Sequence, residues 1–282
     1  MKKIILSMTT IAMMAMFACS FISCGGDDDN EETGNTTTPD NTAHPNDKKK
    51  KSNLIVKVSS TSNDRTVGMY TFSYDEKGNL TDYVSYESGS MHLKERNSDK
   101  VVLSYRLGLN TTNYIDMTIK LNAQGLCEET IGGDVTKYDS DGYLIETKNK
   151  AGVYSLWKYT YKNGDLSFVS HKGSDYKVSY TETYNSSTEL NDANLDLNFF
   201  ILNDNTNRDI SLFGLLGKKS RHILSYMKTE QTGVYDWIEY SNVDVTRDAK
   251  GRIFNIKYAY KAGKGKKVNE LQKIVNIVYG DN

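Results

Sequence analysis

His92, His171 and His222 are the side chains of the region beyond residue 53 best suited to hold a metal or relay a proton. None stands in His-x-His or His-Glu-x-x-His spacing, the patterns that bring imidazoles onto one zinc ion, so no metal site is expected. Asp192, Asn194, Asp196 and Asn198 alternate like the opening of an EF-hand loop. The sixth position of that frame is Leu197 where the calcium loop needs Gly, and the twelfth is Asn203 where it needs Glu. Helix capping and turn chemistry account for these four residues better. There is no Gly-x-Ser-x-Gly, no P-loop and no Gly-x-Gly-x-x-Gly, hence no nucleophile elbow, phosphate cradle or dinucleotide turn. A glycosidase needs two facing carboxylates, and no spacing among the many acidic residues singles out a pair. The expectation is a non-catalytic protein with no cofactor.

The cysteines carry a different chemistry. A small residue followed by Cys, after a short apolar run, is the pattern of a bacterial lipoprotein signal, and Ala18-Cys19 and Ser23-Cys24 both offer it. Cys24 leads at once into Gly25-Gly26-Asp27-Asp28-Asp29, whereas Cys19 runs into more apolar residues, so Cys24 is the expected lipidation site, the carrier of palmitate. Cleavage there removes Cys19 and leaves Cys127 alone, without a partner for an internal disulfide. Cys127 follows Gly125-Leu126 in a strand-like stretch and reads as a buried structural thiol.

Aromatic side chains are the remaining candidates for binding. Trp157, Tyr159 and Tyr161 share one strand face, and Trp237 is flanked by Tyr235 and Tyr240. Such platforms take sugars or apolar ligands, although strand aromatics more often serve cross-strand packing. Together with Phe199 and Phe200 of an apolar segment, Trp157, Tyr159, Tyr161, Tyr235 and Trp237 form the candidate ligand set.

The elements that must position these residues follow from three unlike stretches of chain. Lys2 and Lys3 precede an uncharged apolar run from Ile4 to Phe17, which is the grammar of a secretory signal, so residues 1–23 are set aside. Residues 24–53 place Asp27 to Asp29, Glu31, Glu32, Asp40 and Asp47 before Lys48 to Lys51, with almost nothing apolar. That composition cannot offset the entropy of ordering, and the segment reads as a flexible tether with a reach of roughly 30 Å. Residues 54–282 form a single domain in which acidic and basic residues balance, as they do over the whole chain at a net charge of −1. A neutral domain of this kind has no electrostatic claim on nucleic acid. Both prolines of the chain precede residue 46 and all 20 tyrosines lie at or beyond Tyr70.

Within the domain, alternation dominates. Val101, Leu103, Tyr105, Leu107 and Leu109 alternate with a set that includes Ser104, Arg106 and Gly108; Ile115, Met117, Ile119 and Leu121 oppose Asp116, Thr118 and Lys120; Tyr70, Phe72 and Tyr74 oppose Thr71 and Ser73. Period-two patterns predict antiparallel strands with one dry and one wet face. The wet face carries Arg, Lys and Asp, which argues against a lipid-facing band. Between strands a turn recurs at Asp75 to Gly78, Asn122 to Gly125, Asp139 to Gly142 and Asp248 to Gly251, where Asx opens a type I turn and Gly takes positive φ. Asn163-Gly164 is a hairpin signal of its own. One stretch, Leu190 to Ser220, breaks the pattern: Leu195, Phe199 and Leu202 fit one helical face, as do Leu212, Leu215 and Leu216. The predicted fold is all-β with two short helices: a large antiparallel curved sheet, or an open or closed barrel-like meander of hairpins, with the helices capping its open end or concave face.

Two resemblances attach to these motifs. Tyr74-Asp75-x-x-Gly78-x-Leu80, with Phe72 in place of a first Tyr, resembles the YD or Rhs repeat, although glycines at 78, 125, 142, 164 and 251 lack the near-constant spacing of Rhs arrays that form toxin-encapsulating shells. The acidic-tailed Cys24, the Tyr-Asp-x-x-Gly hairpins, Leu195-Asp196-Leu197-Asn198-Phe199-Phe200 and Gly217-Lys218-Lys219-Ser220 are together similar to a Bacteroidetes outer-membrane lipoprotein family of unknown function with a porin-like β fold. The resemblance implies an architecture and an outer-membrane location, lipid-anchored and facing the cell exterior, and transfers no catalytic residue. The expected function is non-catalytic binding of a glycan or another envelope component by a monomer. The alternative is a half-barrel lipid or lipoprotein carrier with residues 195–216 as its lid, and the third reading is a polysaccharide hydrolase.

Overall fold

The computed structural model describes residues 53–280 apart from 64, 87–88, 109–111, 130–132, 150–155, 174–177, 203–208 and 232–235. Cys24, the signal, the tether and Tyr235 therefore lie outside the described residues. In chain order the strands are β1 Ile55–Ser62, β2 Arg65–Tyr74, β3 Leu80–Ser85, β4 Gly89–Arg96, β5 Lys100–Leu107, β6 Ile115–Leu121, β7 Cys127–Glu129 and β8 Asp134–Tyr138. They continue as β9 Leu144–Asn149, β10 Leu156–Lys162, β11 Asp165–Lys172, β12 Val178–Leu190, β13 His222–Gln231, β14 Trp237–Arg247, β15 Ile253–Lys264 and β16 Lys267–Tyr279. Between β12 and β13 lie the two short helices, α1 Leu197–Ile201 and α2 Asp209–Leu212.

Each strand pairs antiparallel with its chain neighbours, and β1 pairs with β16, Val58 opposite Ile277 and Ser60 opposite Val275, so the meander closes into a barrel. Closure satisfies the backbone groups that an open sheet would leave at its edges. Every hairpin turn predicted from Asx and Gly is present. Asp75 Oδ1 accepts the amides of Lys77 and Asn79, Asn122 Oδ1 those of Gln124 and Leu126, Asp139 Oδ1 those of Asp141 and Tyr143, and Asp248 Oδ1 those of Lys250 and Arg252. Asn163 and Gly164 both have positive φ, 55° and 84°, as a two-residue I′ hairpin requires.

The wall has its apolar face inside. Phe72, Tyr83, Met91 and Tyr105 stand opposite one another on β2 to β5 and face the interior, while the neighbouring row Asp82, His92, Ser104 and Asp116 on β3 to β6 faces out. The outer row is charged and cross-paired: Asp82 with His92, Lys94 with Asp116 at 2.7 Å, Lys137 with Glu146 at 3.0 Å and Lys261 with Glu270 at 3.2 Å. Exposed pairs of this kind contribute only about 0–1 kcal/mol each. Their importance is that a barrel crossing a bilayer needs an outward apolar band, and these positions would put charge in it.

A barrel of this many strands encloses more space than its own wall side chains fill. Residues 191–202 and 209–221 occupy one end of it. Leu197, Ile201, Ile210, Leu215 and Leu216 are buried, and Phe199 and Phe200 pack edge-on against Tyr70, with Phe200 also edge-on to Phe72 at 6.0 Å. Each such side chain contributes roughly 1.5–3 kcal/mol on leaving water. Asp196 caps α1, its carboxylate accepting the Asn198 amide. Asn194 Oδ1 accepts the Ile55 amide and its Nδ2 donates to the Tyr74 hydroxyl, while Asn198 Oδ1 accepts the Leu224 amide and its Nδ2 donates to the His222 carbonyl. The alternating Asx residues are thus caps and staples between the inserted segment and the wall. The helices, expected to cap the open end or the concave face, lie on the inner face at one end of the closed barrel, because the described apolar residues of 195–216 find their buried partners on the inward faces of β2, β3 and β13. Leu215 and Leu216 are beyond the end of α2 at Leu212, in the extended return to β13.

Candidate functional site

The plugged end also carries both chain ends of the domain, Gly280 donating its amide to the Leu54 carbonyl at 2.9 Å. Towards the far end the inward side chains lose their cover. On β6, Leu121 and Ile119 are buried, Met117 is half-buried and Ile115 is 57% exposed, although all four share the inward face. Water therefore reaches the lumen from the end opposite the plug.

The most chemically dense part of that half is the inward face of β10 to β13. Trp157 of β10 and His171 of β11 stand opposite each other and stack, ring centroids 4.4 Å apart at 28°, and Tyr180 of β12 meets Trp157 edge-on at 5.3 Å. All three are half-buried. One row deeper, Glu182 faces inward between Val169 and Thr229 and is 2% exposed. Its carboxylate accepts hydrogen bonds from the hydroxyls of Tyr180 and Tyr184, and Thr229 Oγ1 lies 3.4 Å from Oε1. No described side chain forms an ion pair with it. Partial burial pushes the His171 imidazole below its ordinary pKa, so at neutral pH it adds no positive charge to this wall.

Three strands round the barrel from β13, Lys273 of β16 also faces inward, opposite Tyr258, with its ammonium 4.5 Å from the Tyr260 ring and 5.9 Å from that of Tyr240. Tyrosines hence line both stretches of the wall.

The candidate residues fall in unlike places. Trp157, Tyr159 and Tyr161 do share the inward face of β10; Tyr159 is buried beside Val169, and Tyr161 packs on Tyr143 at 4.6 Å. Tyr161 also borders a cavity of about 40 Å³ between wall and plug, shared with Leu166, Tyr184, Asn198 and Phe199. That volume has room for ordered water and none for a sugar ring. Phe199 and Phe200 are interior to the plug. Trp237 pairs with Glu230 and Gly263 on the outer face of the wall and lies over Gly263, while Tyr240 points inward, so these two do not form one platform. Glu182, Tyr180, His171 and Lys273 were not picked out by motif. Strand parity would have found them: Tyr180-x-Glu182-x-Tyr184 puts a carboxylate on an aromatic face, and Lys273-x-Val275-x-Ile277 puts an ammonium on an apolar one.

Cys127 is fully buried, its thiol pushed up to about 12 chiefly by desolvation, which suits a structural role and not a nucleophile. Among the described residues no three His, Cys, Asp or Glu side chains are grouped to hold a metal ion.

The fold and site define a sixteen-stranded antiparallel barrel, plugged at one end, charged on its outer wall and lined with tyrosine within. No protein-family model matches the chain, and no curated protein does. A crystal structure of a porin-like protein from Bacteroides uniformis is similar over 81% of this chain and 98% of its own, with a TM-score of 0.57 and 15% sequence identity. The likeness is one of fold, and it agrees with the porin-like β architecture implied by the sequence resemblance.

Proposed function

We propose that this chain is an outer-membrane lipoprotein, anchored through Cys24 at the cell exterior, whose barrel stands in water beside the bilayer and binds a glycan or another envelope component without catalysis. The observation that carries this reading is the polarity of the wall. A barrel with apolar residues inside and Asp82, Lys94, Asp116, Lys137 and Glu146 outside cannot exchange its outer wall for lipid, so attachment to a membrane needs the separate anchor that Ser23-Cys24 supplies. The half-exposed aromatic row of Trp157, His171 and Tyr180 supports ligand binding inside the far half of the lumen.

The plug weighs against the carrier alternative. A removable lid would cover an apolar cavity, whereas residues 195–202 and 209–216 fill their end of the barrel and the segment is bonded to the wall through Asn194, Asn198 and the Leu215 carbonyl, which accepts the Cys127 amide at 2.6 Å.

The test is fractionation of cells expressing Cys24→Ala. The variant is expected in the soluble fraction, recoverable without detergent, while the parent stays with membranes. Continued membrane retention of the variant would refute anchoring at Cys24 and return attention to the barrel wall.

A further inference from the structure

The inward face of β10 to β13 carries a buried carboxyl group that no described lysine or arginine of those strands pairs. Glu182 is buried and solvated by hydroxyl donors alone, from Tyr180, Tyr184 and Thr229. Among the described residues, no lysine or arginine on β10 to β13 faces inward; Lys158, Lys172 and Lys228 all stand on outward rows. An ammonium docking nearby is the counter-charge that such a carboxyl lacks among the described residues of these strands, and little solvent lies between to screen the pair. In front of it, towards the lumen, lies the half-buried aromatic row of Trp157 and Tyr180. Electron-rich ring faces backed by a buried carboxyl group are an arrangement that recognises an organic ammonium.

We infer that the lumen wall formed by Trp157, Tyr180 and Glu182 is a binding site for a ligand bearing an alkylammonium group, such as the free amine of an amino sugar or a lysine side chain. This rests on the reading that ligands enter the far half of the lumen, and it names the chemistry they must carry there. The ammonium rests against the Trp157 and Tyr180 rings, and Glu182 acts through Tyr180, whose hydroxyl it already holds. His171, stacked on Trp157, is pushed by burial below its ordinary pKa and so towards its neutral form. Lys273, three strands round the barrel from β13, holds its ammonium against Tyr260 and Tyr240 and so disfavours a cation on the β14 to β16 side.

The two tryptophans of the chain allow a clean readout. Trp237→Phe keeps an aromatic ring over Gly263 on the outer wall and leaves Trp157 as the reporter in the lumen. Quenching of its fluorescence is followed at pH 7 with a glucosamine tetramer, with the fully N-acetylated tetramer, and with trilysine. The expected result is saturable quenching by the free-amine tetramer, at least about tenfold tighter than by its acetylated counterpart, weakened by added salt, and weakened about tenfold by Glu182→Gln. Quenching by trilysine as well shows that the site accepts peptide amines; its absence assigns the site to amino sugars. Equal affinity for the acetylated and free-amine tetramers would overturn the ammonium site while leaving lumen binding intact. Absence of quenching by every probe would overturn it too, and neither result touches the anchoring of the chain at Cys24. The acetylation and salt comparisons use unmodified Glu182, so they stand even if Glu182→Gln folds poorly.

Discussion

Asp209 opens α2 inside the plug, near the Tyr83 hydroxyl of β3; burial raises its pKa from 3.8 to about 6. A carboxyl whose folded pKa lies above its unfolded one favours the folded state most when both forms are protonated. That contribution is complete below about pH 4 and is lost as pH rises through about 6. Asp209→Asn mimics the protonated side chain at every pH. It is expected to raise stability by on the order of 1–3 kcal/mol at pH 7.5 and to leave it unchanged at pH 4, where Asp209 is itself neutral. Urea midpoints at the two pH values check this, and an equal shift at both would show that the carboxylate's charge is not what burial penalises. Nothing in the sequence marks Asp209, which sits among Asn203 to Arg208 as one polar residue of many; its burial comes from the docking of α2 on Tyr83. Glu182 differs, because its parity with Tyr180 and Tyr184 already placed it on the inner face.

At the scale of elements, the return limb from Leu215 to Arg221 shows how the plug is locked. The Cys127 amide donates to Leu215, the Lys218 amide to the Gly142 carbonyl at 2.9 Å and the Arg221 amide to that of Gly164 at 3.1 Å, so the limb ties β7, the β8–β9 turn and the β10–β11 turn in succession. Lys219 Nζ donates to the Ala193 carbonyl, and Ser220 Oγ accepts the Leu166 amide. Gly217 makes the close approach: at φ 105°, a β-carbon there would meet the Gly142 carbonyl oxygen at 2.7 Å and the Tyr138 ring at 3.1 Å. Gly217→Ala is expected to cost about 2–4 kcal/mol and to open the limb to proteolysis, against about 1–2 kcal/mol for Gly265→Ala, whose positive φ faces open space. Thermal unfolding of the pair checks the difference, and equal losses would show that backbone conformation alone decides. Four turns were legible in the sequence because each is closed by an Asx oxygen on amides two and four residues away, and the fifth because Asn163-Gly164 suits a two-residue hairpin. The plug was legible only as a break in alternation, since its partners, from Ile55 to Leu224, are scattered along the chain.

For the whole molecule, closure was the step alternation could not decide. A wet and a dry face predict a sheet, but the pairing of Val58 with Ile277 joins the first strand to the last and has no local signature. Closure in turn sets direction. With an even number of strands, the chain enters at Ile55 and leaves at Tyr279 on the same rim, and that rim is the plugged one. If the chain is anchored at Cys24 as proposed, it reaches the barrel at its plug, which would turn the lumen wall with Trp157 and Tyr180 away from the bilayer. The 13 residues of β16, at about 3.3 Å each and inclined as barrel strands are, separate the two rims by roughly 30 Å. That is comparable to the roughly 30 Å reach expected of the tether from its composition, so the two rims would lie at measurably different distances from the anchor. Donor dyes on Lys77→Cys, in the β2–β3 turn of the plugged rim, and on Lys266→Cys, in the β15–β16 turn of the far rim, read it directly. With acceptor lipids in vesicles carrying the lipidated protein, energy transfer is expected to be clearly stronger from position 77. Equal transfer from both would mean the barrel lies on its side against the headgroups, and stronger transfer from 266 would mean the lumen opens onto the membrane, which would make the bilayer itself the source of the ligand.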